Sequence, residues 1–337
     1  MRVAMYYRNS DVRIQEMPVP SIGPGEILVK VKASGICGSD VLEWYRIKKA
    51  PIVLGHEIAG DVVTVGDGVE QFHEGDRVFV SHHVPCNTCR YCLSGHRTAC
   101  ETLHTTNYDP GGFAEYLRVP PLQVDRGTFK LPKGMTYEAG TLIEPLACVL
   151  RAQKGLDLDP GSSLLVLGSG ISGLLHILLS RRLGAGNIIA TDMSQKRLGY
   201  ATQFGANHVL LATADVPSLV RHVNAGRLAE RVILCTGAME AAKQGMQSVE
   251  RGGTVLFFAV PTEDIQVPIN DYWRNDITLK TSYGADPTDL LQAIDLLSAG
   301  VLPTEQLITH RLPLEEAQKG FNLVVEAQDS IKVVLEP

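Results

Sequence analysis

"LLVLGSGISGLL", Leu164 to Leu175, is the stretch whose reading decides how this chain folds. An apolar, strand-like run passes through G-x-G-x-x-G into what reads as a helix. Alone the pattern is weak. Between a strand and a helix it is the signature of a dinucleotide-binding turn. Gly168 would allow the tight turn, Gly170 the close approach of a pyrophosphate, and Gly173 the close seating of helix on sheet. Ile171 and Ser172 open the helix, whose free N–H groups and positive dipole end suit phosphates. The following strand ends "IIATD", so Asp192 stands nineteen residues after Gly173. A carboxylate there accepts from a ribose 2'-hydroxyl and repels a 2'-phosphate. Met193 follows rather than arginine, so NAD is expected over NADP. Arg197 reads either as a cation stacked on adenine or as a charge on the helix surface.

Outward from this turn, six apolar, β-branched runs follow one another: "SLLVLG", "NIIATD", "ANHVLLA", "RVILCTG", "GTVLFFAV" and "ITLKTSY". Helix-like stretches at 171–183, 194–204 and 239–249 separate several of them. Strands alternating with helices imply a parallel sheet covered on both faces, here two mononucleotide-binding halves. The chain before this region is β-rich. Ile27, Val29, Val31 and Ala33 alternate with Leu28, Lys30 and Lys32, a period of two. Short strand-like runs at 61–65 and 77–80 are separated by glycine turns, which suggests a barrel-like body. After Asp286 come helices near 289–299 and 314–327 and a closing strand, "IKVVLEP", expected to pack back on the first domain. The expected division is 1–150, 151–285 and 286–337, with a lobe at 86–100.

That lobe, "CNTCRYCLSGHRTAC", carries Cys86, Cys89, Cys92 and Cys100, four of the seven cysteines. A disulfide staple, a redox pair and a metal cage are the three readings. The N-terminus lacks the apolar core of a signal peptide, and no run of about eighteen apolar residues exists to span a membrane. A cytoplasmic location is expected, where thiols stay reduced. A redox C-x-x-C normally stands alone. Four thiolates can surround a tetrahedral zinc and supply the folding energy that this polar segment lacks. Such a closed site is structural. The net charge of −6 argues against nucleic-acid binding, and 337 residues with 45% hydrophobic and 20% charged content suit two globular domains.

Cys37 in "GICGSD" and His56 in "VLGHEIAG" stand out in the β-rich part. A catalytic zinc needs three protein ligands and an open position. These residues supply two, and "LIEPLAC" offers Glu144 as a third, with a plain helix-start carboxylate as the alternative.

Taken in order, "GICGSD", "GHEIAG", the four-cysteine lobe, "IEPLA" and "VLGSGISG" resemble the zinc-dependent medium-chain dehydrogenases, the alcohol, sorbitol and threonine dehydrogenase relatives. The resemblance covers almost the whole chain. It implies an α/β protein: a GroES-like β-rich catalytic domain plus a Rossmann domain with a doubly wound, parallel six-stranded sheet. It implies two zinc ions per chain, one structural and one catalytic. The catalytic ion is held by Cys37, His56 and Glu144, with Glu57 able to exchange in. A glutamate rather than a cysteine at position 144 resembles the polyol branch. The implied activity is reversible, NAD-linked oxidation of a secondary alcohol or polyol, by a homo-oligomer, dimer or tetramer, with no nucleic-acid or membrane partner. Ser39 would take the substrate proton. Where many relatives read "GSDVH", this chain has Leu42, which carries no proton, and Glu43 is the nearest substitute. Trp44 and Tyr45 line the pocket or belong to the core. A zinc-free quinone or enoyl reductase would lack Cys37 and the lobe. A non-catalytic cofactor-binding protein would need no intact ligand set.

Overall fold

The structure is a computed structural model that describes residues 1–337. The chain divides into two compact units, one of Met1–Ala147 with Gly284–Pro337, the other Cys148–Tyr283.

In the second unit the six apolar runs form one parallel sheet. Its strands are Ser163–Leu167, Asn187–Asp192, His208–Leu211, Ala229–Leu234, Val249–Phe257 and Thr278–Thr281. Their spatial order is third, second, first, fourth, fifth, sixth. The order reverses beside Ser163–Leu167, and ligands of open α/β sheets bind where the strand order reverses, beyond the strands' carboxyl ends. That central strand is buried at every position, as expected for a strand covered on both faces. Leu165, Leu167, Val232 and Val255 join residues of the crossover helices in one apolar core. The helix after the glycine turn spans Ile171–Arg182 and begins where the sequence places it.

The first unit is built around Ile27–Ile36, whose alternation of buried and half-buried residues follows the sequence period. It pairs antiparallel with Glu57–Val65, and that strand pairs with Arg77–Val80. The strand expected at 61–65 is longer, because Glu57–Gly60 is also extended and buried. The closing strand Lys332–Glu336 lies antiparallel to the far end of Ile27–Ile36, through Val333 to Ile36 and Leu335 to Ser34. A three-stranded sheet of Asp11–Glu16, Arg2–Arg8 and Ile52–Val53 adjoins this body. Tyr6, Phe113, Phe321 and Leu335 share its core, so the last fifty residues are part of this unit's packing. The helix Ile143–Lys154 carries Glu144 in its first turn. No helix is long and apolar enough to cross a membrane.

Candidate active site

The cysteine lobe is held by turns rather than by a core. Asn87 takes φ 63° inside C-x-x-C, a left-handed conformation that asparagine tolerates better than most residues. Cys89 and Cys100 directly precede the short helices Arg90–Leu93 and Glu101–Thr105. The sulfurs converge: Cys86 to Cys92 is 3.9 Å, Cys89 to Cys92 3.6 Å and Cys86 to Cys100 3.6 Å. A tetrahedron with Zn–S bonds of about 2.3 Å has edges of about 3.8 Å. The backbone N–H groups of Thr88 and Cys89 donate to Cys86 Sγ, at 3.4 and 3.3 Å. Hydrogen bonds from Thr88 and these backbone groups lower the Cys86 thiol to about 5. Burial pushes its neighbour Cys92 up to about 12. Four free thiols this close with one already favouring the thiolate fit a metal cage. Arg97, inside the lobe, donates to Asp286 at 3.2 Å, and Asp286 caps the helix Pro287–Ser298.

The second cluster sits where the strand Ile27–Ile36 ends and the strand Glu57–Val65 begins. Cys37, His56 and Glu57 bring one ligand atom each within 4.8 Å of one another. Glu144 lies outside this group. It is half-buried, and its charge reaches Tyr108, as do those of Asp40 and Glu57. Tyr108 is buried and donates to the Gly55 carbonyl at 3.2 Å, which fixes the backbone just before His56.

Three residues that sequence reasoning missed organise this cluster. Asp40 is fully buried. One of its oxygens accepts the Cys37 N–H at 3.0 Å, and the other lies 3.3 Å from His56 Nδ1. Burial opposes a charged His56, yet the Asp40 carboxylate and Cys37 raise its pKa well above the ordinary imidazole value. With a carboxylate this close to Nδ1, Nε2 is the imidazole nitrogen left for a metal. Lys332 is the second. It forms a buried ion pair with Glu57 and donates to the Ile36 carbonyl at 3.2 Å. A Cβ on Gly35 would collide with this pair, which is why glycine stands there. The other Glu57 oxygen, Oε1, is buried without any hydrogen-bond partner, as a carboxylate awaiting a cation would be. The third is His82, whose ring centroid is 4.8 Å from that of His56. Two signals were available: a carboxylate three residues after Cys37, and a lone lysine inside an apolar closing strand.

The Glu57–Lys332 pair makes a direct prediction. Removing one partner of a buried ion pair strands the other charge, at a cost of about 3–5 kcal/mol. Lys332→Met should therefore destabilise metal-depleted protein by about that much in urea unfolding, and Glu57→Gln added to it should restore part of the loss. A change below about 1 kcal/mol would show that Glu57 does not depend on Lys332.

Ser39 is half-buried beside Cys37, and its backbone N–H donates to Cys37 Sγ at 3.4 Å. Glu43 is engaged elsewhere, since it accepts the Asn9 N–H at 3.0 Å. Trp44 and Tyr45 are exposed, at 43% and 40%, so neither is core.

In the second unit the glycine turn has the shape a dinucleotide needs. Gly168 has φ 95°, where a side chain would be strained, and a Cβ on Gly173 would overlap the Gly168 carbonyl oxygen. A Cβ on Gly170 would lie 3.6 Å from the Arg197 guanidinium. Asp192 accepts the N–H groups of Ser169 and Ser194, each at 2.8 Å, so its carboxylate holds the turn as well as facing it. Each oxygen keeps a lone pair for a further donor.

Comparison with known proteins agrees with this geometry. The family described as alcohol dehydrogenase GroES-like domain matches residues 23–133, and the one described as zinc-binding dehydrogenase matches 172–299. A sorbitol dehydrogenase of Bacillus subtilis (strain 168) is 30% identical over 350 residues, covering 100% of this chain and 97% of that protein. The crystal structure of 2R,3R-butanediol dehydrogenase from Bacillus subtilis superposes with a TM-score of 0.86 at 27% identity, covering 100% of this chain and 99% of that one. A zinc-binding dehydrogenase from Sinorhizobium meliloti 1021, solved bound to NADP, gives 0.87 at 27% identity with the same coverage. The chain belongs to the zinc-dependent medium-chain dehydrogenase/reductase family, on its polyol dehydrogenase branch.

Proposed function

We propose that this protein is a zinc-dependent, nicotinamide-linked dehydrogenase that oxidises a secondary alcohol or polyol to a ketone, reversibly. The observation that carries the reading is the convergence of Cys37, His56 and Glu57 in a chain that also has the glycine cradle. When bound, zinc supplies Lewis-acid polarisation of a hydroxyl or carbonyl oxygen, and the nicotinamide supplies the hydride acceptor. The chain's residues do the rest. Cys37 and His56 would hold the metal together with a carboxylate, Glu144 by resemblance or Glu57 by proximity. Asp40, 3.3 Å from His56 Nδ1, would favour an imidazole that offers Nε2, and Lys332 would compete with a metal for Glu57. Ser39 Oγ would contact the substrate oxygen. Cys86, Cys89, Cys92 and Cys100 would hold the structural ion. Gly168, Gly170, Ile171, Ser172 and Gly173 would cradle the pyrophosphate, with Asp192 on the ribose and Arg197 at the adenine side. In this reading residues 1–150 and 286–337 carry the catalytic part and 151–285 the cofactor part. A cytoplasmic homo-oligomer, dimer or tetramer, is the expected form. A zinc-free reductase is disfavoured by the two thiol-bearing clusters.

The test is NAD reduction measured across secondary alcohols, polyols and threonine, with metal content determined on the same protein. Turnover of none of these, with the metal in place, would refute the reading.

Cofactor choice rests on Asp192, which supports NAD over NADP through its acceptor oxygens and its charge. Asp192→Ala should raise KM for NAD about tenfold and narrow the preference over NADP, read from kcat/KM on both cofactors. Wild-type enzyme more efficient with NADP would contradict this role.

Zinc content of Glu144→Ala and Glu57→Ala, side by side, assigns the carboxylate. Loss of the catalytic ion is expected in the variant that removes the resting ligand. Retention in both would mean that neither glutamate is needed to hold it.

A further inference from the structure

Arg46 has no part in the reading so far, yet its side chain, only 17% exposed, stands beside the reacting residues. Its Nε donates to the Ser39 carbonyl at 2.9 Å and its Nη2 to Ser39 Oγ at 3.1 Å. Nη2 also lies 3.5 Å from Asp40 Oδ1, the oxygen that faces His56. The guanidinium stacks over the Tyr45 ring, 5.1 Å from its centroid. These contacts hold a permanent cation in one pose. The Oγ contact leaves Ser39 its own O–H and a second lone pair, so proton transfer through Ser39 stays open.

The third guanidinium nitrogen is uncommitted. Nη1 carries two N–H donors and has no hydrogen-bond partner in the chain. Two more cations follow, Lys48 and Lys49, both exposed and neither in an ion pair. The carboxylates of this segment are engaged elsewhere: Asp40 with His56 and the Cys37 N–H, Glu43 with the Asn9 N–H. The charges of Arg46 and Lys49 both reach His83, and that of Arg46 reaches His82. The His82 ring centroid is 4.8 Å from that of His56, and His82 Nδ1 is buried without a partner. Cations from 46–49 and imidazoles from 82–83 thus flank the metal cluster within one unit of the chain. In a protein of net charge −6, positive charge gathered at one site in excess of its carboxylates favours an anion there.

We propose that Arg46, backed by Lys49, forms an anion subsite beside the metal cluster, and that the substrate is a polyol carrying a carboxylate or phosphate rather than an uncharged polyol. The inference rests on the reading of Cys37, His56 and Ser39 as the reacting centre. A substrate oxygen in contact with Ser39 Oγ puts an anionic group a few carbons away within reach of Arg46. A guanidinium suits either anion, because its planar N–H donors match carboxylate and phosphate oxygens alike.

The experiment uses zinc-loaded full-length enzyme with NAD and three substrate arms of matched chain length: uncharged pentitols and hexitols, the corresponding aldonates, and the corresponding polyol phosphates. For wild type, Arg46→Met, Arg46→Lys and Lys49→Met, kcat and KM are measured on each arm, with KM for NAD and zinc content. A charge-assisted hydrogen bond is worth on the order of tenfold to a hundredfold. Wild type should favour one anionic arm over the uncharged one by at least about tenfold in kcat/KM, and the arm that wins separates carboxylate from phosphate. Arg46→Met should lose most of that preference, chiefly through KM for the anionic substrate. Taking the ratio of the two arms cancels any general damage to the centre. Arg46→Lys should keep part of the preference, because it keeps the charge. Lys49→Met should reduce it about threefold, as an exposed charge does. A wild type that favours uncharged polyols would overturn the proposal and leave the dehydrogenase reading standing. Equal losses on charged and uncharged arms in Arg46→Met would overturn it too, making Arg46 only a support of Ser39 and Asp40. So would a raised KM for NAD with the substrate preference intact, which would assign the cations to the cofactor. Turnover of no arm, with zinc in place, would strike the underlying reading and this proposal with it.

Discussion

Cys37→Ser should leave a folded protein that turns over on the order of 10³-fold more slowly or not at all. The figure follows from transition-state arithmetic: Lewis-acid stabilisation is worth several kcal/mol, and about 4 kcal/mol corresponds to 10³ in rate. A serine hydroxyl is a far poorer zinc ligand than a thiolate, so one of the ligands to the ion is lost. The fold should tolerate it. Cys37 is half-buried and follows the strand Ile27–Ile36, and the neighbouring backbone is held by Asp40 through the Cys37 N–H, which serine retains. Circular dichroism and the unfolding midpoint should match wild type while kcat falls. A Cys37→Ser variant with near-normal turnover would remove this residue from the reacting centre.

Cys100→Ser should do the reverse, losing stability first. Cys100 is 1% exposed, and the lobe's buried cluster consists of Cys92, Cys100 and Leu103. That is too little apolar surface to order the segment without metal. Structural zinc contributes about 10–16 kcal/mol in small isolated sites, so weakening one ligand of four should cost several kcal/mol. The effect should also travel. Arg97 bonds Asp286, which caps the helix Pro287–Ser298, so loosening the lobe should raise hydrogen exchange at that helix's first turn. Unfolding by urea with and without chelator checks the first part. A chelator-insensitive midpoint in both proteins would mean that the lobe folds without metal.

Local patterns made much of this legible. The glycine turn at 168–173 needs particular backbone shapes and close approaches, and only glycine meets them, so its meaning is written in three residues. Four cysteines spaced within fifteen residues converge because short loops leave them no alternative. The parallel sheet follows from apolar runs alternating with helices. What stayed hidden depends on distant parts of the chain. Lys332 reaches Glu57 across 275 residues, because the closing strand joins the far end of Ile27–Ile36, and no spacing rule records that. Asp40 is close in sequence to Cys37 but gains its role by burial against His56, which a polar turn motif does not announce. Arg46 reads as one cation of a basic stretch until the fold turns it back on Ser39. Glu144 lies in the first turn of the helix Ile143–Lys154, a place that suits either of its readings, whereas Glu57 stands in the tight group with Cys37 and His56.

The most direct test of two zinc sites with unequal roles is metal stoichiometry by mass spectrometry, on purified active protein and on Cys37→Ser. Two zinc ions per chain are expected in the active enzyme, and one in the folded, inactive variant. One zinc or none in fully active protein, or two retained in Cys37→Ser, would contradict it.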